Sequence, residues 1–245
     1  MTASRLQDRA MIRLESPDGS EDVPAFLQGL VTNDVAGELP VYAGLLTPQG
    51  KMLFDFFVWP APNGGLLLDC EADAAEDLVK RLSLYRLRRK IDIARDESLT
   101  VHWAAEAGDG GARDPRLAAL GQRWIAPMDD GEPVDDAYLK HRLSLGVPEG
   151  RRDMADTLWL ETNAVELNGV SFNKGCYIGQ ENTARMNWRQ KVNRRLVVVP
   201  LDQSEDKRRK ADYSDLSYAI DHLRVADIDA DRAPEWMRAG LTPAE

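Results

Sequence analysis

The sequence is poor in the residues that bind metals or form disulfides. It has two cysteines, Cys70 and Cys176, and three histidines in 245 residues. The cysteines have no disulfide-type spacing, and no CxxC or HxxxH pattern is present. We therefore expect free thiols, and no zinc or iron–sulfur site built from protein ligands.

Long apolar runs are also missing. No stretch approaches the roughly 20 apolar residues of a membrane-spanning helix. The first eight residues lack the apolar segment of a secretory signal and already include an acid, Asp8. These features predict a cytoplasmic protein with no membrane partner.

An excess of positive charge is absent as well. The chain has 41 acids against 31 lysines and arginines, a formal charge of -10. This balance argues against direct nucleic-acid binding, because phosphate contacts require a positive face. The basic residues nevertheless cluster, and each cluster is either a solvated surface or a local anion-binding surface. The clusters are Arg81, Arg86, Arg88, Arg89 and Lys90; Arg185, Arg189, Lys191, Arg194 and Arg195; and the run from Lys207 to Lys210.

The pattern of apolar residues predicts α+β layers rather than a doubly wound parallel sheet, because short strands are followed by helices and joined by antiparallel-type turns. The predicted strands are 11–14, 42–46, 51–58, 65–70, 91–94, 99–103, 123–126 and 195–201. The predicted helices are 24–30, 72–89, 115–120 and 135–145, with a loop at 106–114. Residues 202–215 are almost wholly polar, and 216–225 fits either a strand or a helix.

Nucleotide-binding and hydrolase motifs are absent. Gly50-Lys51 lacks the upstream glycine of a phosphate loop, and Met52 stands where the magnesium-binding hydroxyl is required. The segment 173–181 is more informative. Gly175 and Gly179 allow a tight turn among a cation, a thiol, a phenol, an amide and an acid, and a helix over 182–186 would point its N-terminal end at that turn. On chemistry alone, a ligand-facing turn and an ordinary polar loop are equally good interpretations.

Two other places carry polar groups of interest. The turn at 28–35 offers the amide of Asn33 and the carboxylate of Asp34. Asp55 interrupts an apolar strand, where a carboxylate is either exposed or buried and paired. Cys176 is a candidate nucleophile if Lys174 lowers the pKa of its thiol, although no histidine nearby in the sequence supports a Cys-His pair.

Residues 174–181 resemble the signature KGCYxGQE of YgfZ-type folate-binding proteins, relatives of the aminomethyltransferase (T-protein) of the glycine cleavage system. Supporting segments lie in order at 26–35, 46–52 and 161–163, and the resemblance covers residues 6–201. It implies two α+β modules around a central folate pocket (1–194) and a small C-terminal β-barrel (195–245).

The same resemblance implies binding of tetrahydrofolate and a role in assembling or repairing iron–sulfur cluster enzymes, including enzymes that modify tRNA. It assigns catalytic roles to Cys176 and Asp55 and implies no metal ligand. The implied folate-binding residues are Asn33, Asp34, Asp55, Lys174, Gly175, Tyr177, Gly179, Gln180, Glu181 and Arg185.

Two departures from the family pattern matter. Phe54 precedes Asp55 where aminomethyltransferases carry a second acid, which argues against full methylene-transfer activity. A folate-dependent aminomethyltransferase-like enzyme therefore stays an alternative, as does an interaction module that uses the basic clusters. The second departure is the tail, where the charged stretch 202–215 replaces expected strands and predicts a shortened, open barrel.

Overall fold

The computed structural model describes residues 4–106, 108, 110–188 and 192–241. The strands are β1 (Arg5–Leu6), β2 (Arg9–Glu15), β3 (Val41–Leu46), β4 (Met52–Pro60), β5 (Leu66–Glu71), β6 (Asp92–Arg95), β7 (Leu99–Ala104), β8 (Ala112–Arg113), β9 (Gln122–Pro127), β10 (Arg194–Pro200), β11 (Arg209–Tyr213) and β12 (Tyr218–Arg224). The α-helices are α1 (Val23–Gln28), α2 (Ala75–Arg86), α3 (Asp135–Ser144), α4 (Gly150–Met154), α5 (Gln180–Trp188) and α6 (Glu235–Arg238).

Three antiparallel sheets organise the chain. Their strand orders are β3-β4-β5-β2-β6, β1-β7-β9-β8 and β10-β12-β11. β1 and β2 belong to different sheets although only residues 7–8 separate them. The first two sheets are therefore linked where the chain crosses from one to the other, and the predicted α+β class is confirmed.

The five-stranded sheet is covered on both faces. Phe54, Phe56 and Val58 of β4 pack in one cluster with residues of α1 and α2. Phe57, from an alternate position, packs in a second cluster with Trp103 of the four-stranded sheet. Side chains alternate between the two faces of a strand, and both faces of β4 are covered, so β4 is apolar almost throughout. Asp55 lies on the same face as Phe57 and therefore projects toward the space between the sheets.

The helix predicted over 72–89 is shorter than expected. It starts as a 3-10 turn, and α2 ends at Arg86 because Leu87 adopts φ 54° and ψ -113°. These angles match the first central residue of a type II′ turn, a position that favours glycine. The N–H of Arg89 donates to the carbonyl of Arg86 at 3.0 Å and closes the turn. The Leu87 side chain is 84% exposed, so the position combines backbone strain with an exposed apolar group.

We expect Leu87→Gly to stabilise the protein by about 1 kcal/mol. A left-handed conformation costs a non-glycine residue roughly 1–2 kcal/mol, and the greater unfolded-state entropy of glycine offsets part of that gain. The matched control is Leu84→Gly, which removes a leucine of 67% exposure from inside α2, where glycine costs about 1 kcal/mol. Urea unfolding should shift the two midpoints in opposite directions. A lower midpoint for Leu87→Gly would contradict the strain argument.

Two smaller expectations were also wrong. The loop predicted over 106–114 contains β8, which pairs with β9. The helix predicted over 115–120 is a single 3-10 turn at Ala118–Leu120.

The sequence predicts that the charged stretch 202–215 replaces strands. This prediction is wrong, because β11 lies within the stretch. Ala211 and Tyr213 are buried and alternate with exposed Lys210 and Asp212. Two inward apolar residues are enough to keep β11 in the sheet, because its backbone pairs with β12. Within the described residues, β10, β12 and β11 form an open sheet whose Val197 packs against α6. These strands do not close into a barrel, and the domain boundary at 194 and 195 stays a prediction.

Candidate functional site

Lys174 anchors the signature turn from the inside. Its ammonium donates to the carbonyls of Gln28 at 2.6 Å, Val31 at 2.5 Å and Asn33 at 3.0 Å. Three carbonyls match the three donors of an ammonium group. Main-chain carbonyls therefore bind this ammonium group, whereas from the sequence it was expected to lie beside the Cys176 thiol and lower the pKa of that thiol. The signature and the turn that contains Asn33 are brought together, as the resemblance implied.

Glycine is required where the signature meets the β3–β4 hairpin. Gly179 has φ 81°, and a Cβ there would lie 2.6 Å from the Thr47 carbonyl oxygen and 3.0 Å from the Gly50 Cα. Gly50 also has φ 81°. The Asn182 amide donates to the Gln49 carbonyl at 2.9 Å across the same contact. The signature turn is thus fixed against the hairpin as well as by Lys174.

The fixed turn leaves the Cys176 thiol in solvent. Cys176 is a free, exposed cysteine, and a Cβ added at the neighbouring Gly175 would meet no atom within 4 Å. Tyr177 is buried, with its ring centroid 5.2 Å from the Lys174 ammonium. Gln180 begins α5. The arrangement presents a thiol on a rigid, open surface.

The remaining predicted ligands near this turn use their polar groups within the protein. The Asn33 amide donates to the carbonyls of Tyr42 and Asn168. The Asp34 carboxylate accepts from the side chain of Gln28 at 3.0 Å. Burial lowers the pKa of Lys174 to about 8, and Asp34 opposes that shift.

Two predicted ligands lie on the outer surface. Glu181 and Arg185 form an exposed ion pair of 2.9 Å along α5. Arg189 and Lys191, from the same basic cluster, lie outside the described residues.

Lys174→Met should destabilise the protein by about 2 kcal/mol. Hydrogen bonds to charged groups contribute roughly 1.5–3 kcal/mol each. The net loss is smaller than the sum of three such bonds, because water can reach the part-buried carbonyls of Gln28 and Asn33. Thermal and urea unfolding measure this change. Lys207→Met is the matched control, because its ion pair with Glu205 is exposed and should shift stability by less than about 0.5 kcal/mol. An unchanged unfolding midpoint for Lys174→Met would contradict this structural role and favour Lys174 as a cation that binds a ligand.

Asp55 lies in a separate, buried position. It is 2% exposed, and its Oδ2 accepts from the Tyr42 hydroxyl at 3.0 Å and the Gly150 N–H at 3.3 Å. Its Oδ1 is buried without a hydrogen-bond partner among the described residues. Burial raises the pKa of Asp55 to about 7, and the neighbouring carboxylates of Glu71 and Glu149 add to the shift. The carboxyl can therefore hold or release a proton near neutrality.

Tyr42 connects the two places. Its carbonyl accepts from Asn33, and its hydroxyl donates to Asp55. The signature turn is thereby linked to Asp55 through one aromatic residue, whose ring packs between Phe57 and Trp159. The structure brings Asn33, Asp34 and the signature together and places Asp55 behind them, against Gly150.

Sequence reasoning missed a set of charges between the sheets, which we call the buried ion network. Its members are Arg9, Asp69, Asp114, Arg116, Arg123, Tyr138 and Glu149. The Arg116 guanidinium contacts Asp114 at 2.8 Å and Glu149 at 2.5 Å, and Arg123 contacts Asp69 and Asp114 at 3.1 Å each. The network has three arginines and three acids. Burial alone would raise the pKa of Glu149, but Arg116 and the other two arginines hold it well below its usual value.

A cavity of about 360 Å³ lies beside this network. Arg9, Glu71, Tyr138, Glu149 and Gly150 are among its lining residues. The first two belong to the five-stranded sheet and the other three to the segment that carries α3 and α4. We call it the central cavity. Asp55 adjoins it through its hydrogen bond with Gly150.

The described residues contain no group of three or more histidine, cysteine or acidic side chains arranged to hold a metal ion. No helix in the same part of the chain is long and apolar enough to span a membrane.

Comparison with curated proteins identifies clear relatives. The chain is 34% identical to "Iron-sulfur cluster assembly factor IBA57, mitochondrial" of Mus musculus, over 82% of this chain and 66% of that protein. The human protein of the same name is 35% identical, over 80% and 65%. The chain is a homologue of the IBA57 iron–sulfur cluster assembly factors. The Neurospora crassa homologue is 32% identical over 79% of this chain, which spans only 52% of that protein. No protein-family model matches the chain.

The fold has a solved relative. The glycine cleavage system aminomethyltransferase T from Bartonella henselae superposes with a TM-score of 0.60 and 13% identity, covering 91% of this chain and 78% of that one. The expected aminomethyltransferase-like fold is therefore confirmed. The cytoplasmic location is wrong, because the IBA57 relatives are mitochondrial proteins. The YgfZ-type designation stays a resemblance of the signature.

Proposed function

We propose that this protein binds tetrahydrofolate in the central cavity and supports the assembly or repair of iron–sulfur cluster enzymes, including tRNA-modifying ones. The observation that carries the folate part is Asp55, a buried carboxyl whose Oδ1 has no partner among the described residues, next to a cavity in a T-protein fold. The assembly role is supported by the homologous assembly factors.

The residues around the central cavity fit a folate. The pterin ring has two adjacent N–H groups that one carboxylate accepts together, and Asp55 or Glu71 can fill that role. The lining has three arginines and six acids, so its acids suit the N–H groups of the pterin, and the glutamyl carboxylates would lie at the rim near Arg152. The volume of about 360 Å³ falls in the usual range for small-molecule sites. Tetrahydrofolate, when bound, would supply a carrier for one-carbon units.

In this proposal the residues implied by the signature divide into two roles. Asp55 would receive the ligand beside Gly150, whose N–H donates to its Oδ2. Asn33, Asp34, Lys174, Tyr177 and Gly179 hold the turn in place through the contacts described above. Gly175, Gln180, Glu181 and Arg185 lie near Cys176 along the chain, and we assign them to the surface that a client or assembly protein would meet.

Cys176 is the residue that we assign to the iron–sulfur role. Its thiol is exposed, while the turn that carries it is held by three carbonyls at Lys174 and by a glycine contact at Gly179. A rigid turn with a free thiol suits contact with a protein-bound cluster, because thiolates are preferred ligands of iron–sulfur clusters.

Calorimetry with tetrahydrofolate tests the folate part. The wild-type chain should bind, Asp55→Asn should bind at least about tenfold more weakly because a carboxylate acceptor is lost, and Cys176→Ala should bind normally. Wild-type protein without affinity would refute tetrahydrofolate binding.

Complementation tests the assembly part. In cells that lack the endogenous gene, Cys176→Ala should fold and accumulate normally yet fail to restore the activity of iron–sulfur enzymes. Full rescue by Cys176→Ala would remove the thiol from the mechanism.

One observation favours a second candidate, a folate-dependent aminomethyltransferase-like enzyme. The pKa of Asp55, raised to about 7 by burial, suits proton transfer at neutral pH. Phe54 in place of a second acid weighs against it. Turnover of a methylamine donor with tetrahydrofolate, lost in Asp55→Ala, would establish this activity; absence of turnover in the wild type would exclude it.

A further inference from the structure

A row of three side chains crosses the outer face of the four-stranded sheet. Arg5 of β1 lies opposite His102 of β7, and His102 lies opposite Trp124 of β9. Directly opposed residues project from the same face of a sheet. The His102 and Trp124 rings are stacked, with centroids 5.3 Å apart and 10° between their planes. Val101, at an alternate position, packs in the core, so the row faces away from the space between the sheets.

This row lines a cavity of about 890 Å³, which we call the outer cavity. Ala104 and Ala126 also line it, and they share the face of the row because each lies two positions along its strand. Their methyl groups leave room beside the stacked rings. Asp129 and Glu132, from the segment after β9, form a wall.

Two buried nitrogen atoms at the outer cavity have no hydrogen-bond partner in the part of the chain that the structure describes. They are Arg5 Nε and His102 Nε2. His102 is 5% exposed, and its Nδ1 lies 3.0 Å from the Ser4 hydroxyl. Asp129 is 3.9 Å from Nε2, which is too far for a hydrogen bond. Unpaired buried polar groups are costly, and a ligand in the cavity would satisfy both atoms.

The charges of the lining decide the class of ligand. One arginine faces two carboxylates, Asp129 and Glu132, so a phosphate or a free carboxylate is disfavoured. A ring with a carbonyl beside N–H groups can bind the arginine through its carbonyl and a carboxylate through its N–H groups. Its carbonyl would accept from Arg5 Nε and from His102 Nε2, and its N–H groups would donate to Asp129. The His102 and Trp124 rings stack on each other, so the ligand ring would meet their edges, where the in-plane Nε2 of His102 can donate.

We propose that the outer cavity binds a planar heteroaromatic ring with a cyclic amide edge, such as guanine or a pterin, against Arg5, His102 and Trp124. This site is distinct from the central cavity, because the two cavities have no lining residue in common. Guanine and pterin share the recognised edge, and the choice of probes separates them.

Calorimetry of the full chain with guanosine, 6-methylpterin and adenosine tests the proposal. Guanosine or 6-methylpterin should bind, and adenosine, which lacks the cyclic amide, should bind at least about tenfold more weakly. Trp124→Leu should weaken binding about tenfold, because the indole that packs against His102 and holds its ring is lost. Ala126→Leu should abolish binding by blocking the place beside His102 and Trp124, whereas Ala230→Leu, at an exposed loop position, should leave it unchanged. Thermal unfolding confirms that each variant is folded.

The results separate this proposal from the folate proposal. Binding that is lost in Ala126→Leu and kept in Asp55→Asn supports the outer cavity, with guanosine or 6-methylpterin naming the ligand class. Absence of binding by both compounds overturns the proposal. Binding that survives Ala126→Leu, or that is lost in Asp55→Asn alone, also overturns it, because the ring would then occupy another site.

Discussion

Arg116→Ala should destabilise the protein by about 3–5 kcal/mol, because removing one partner of a buried ion network leaves uncompensated charge in the interior. Arg116 is fully buried, and its guanidinium contacts Asp114, Glu149 and the Tyr138 hydroxyl. It also lies over the Phe57 ring, 4.7 Å from its centroid. Alanine would remove these contacts together. Urea unfolding followed by circular dichroism measures the change.

Two controls test whether the guanidinium geometry matters. Arg116→Lys keeps the charge but not the planar fork that serves two acids at once, so it should lose less stability than alanine but remain clearly destabilised. Arg185→Ala breaks an exposed ion pair with Glu181 and should cost less than about 0.5 kcal/mol. A loss below about 1 kcal/mol in Arg116→Ala would contradict a tightly coupled network.

Asp55→Asn should stabilise the ligand-free protein at alkaline pH by about 2–4 kcal/mol. The folded-state pKa of Asp55 is about 7 against an ordinary value of 3.8, and each unit corresponds to roughly 1.4 kcal/mol. A carboxyl with a raised folded-state pKa contributes full stability below its unfolded pKa and loses it as pH rises through the folded pKa. Wild-type stability should therefore fall relative to Asp55→Asn between pH 4 and pH 7 and level off above that.

Unfolding midpoints of the two proteins across pH 4 to 8 measure this difference. Asp202→Asn, at an exposed position, is the matched control and should follow the wild type throughout. A constant difference between wild type and Asp55→Asn over this range would contradict the raised pKa. Combined with weaker tetrahydrofolate binding, a more stable Asp55→Asn would show that the buried carboxyl is retained at the expense of stability.

The sequence predicted the elements whose side-chain pattern is local. The β3–β4 hairpin was recognisable because a sheet covered on both faces gives a nearly continuous apolar run around Thr47-Pro48-Gln49-Gly50. β11 was missed because its inward face has only Ala211 and Tyr213, and its pairing with β12 supplies the rest. The end of α2 was missed because Leu87 occupies a turn position where glycine is the usual signal.

The candidate site divides in the same way. The signature and the Asn33 turn were found from short motifs, and the structure places them in contact through Lys174. The buried ion network escaped detection because Asp69 and Arg123 are contributed by different sheets. Charged residues inside strands were the available signal, but a single charge in a strand fits an exposed face equally well.

By itself, the sequence determined the α+β class, the signature turn with its glycines and the presence of a thiol at Cys176, because these depend on residues close together along the chain. The tertiary structure alone decided what the charges do. It assigned Lys174 to three carbonyls, buried Asp55 beside a cavity and aligned Arg5, His102 and Trp124 across three strands. Burial and contacts between residues far apart in the sequence determine these roles, and the local sequence pattern predicts neither.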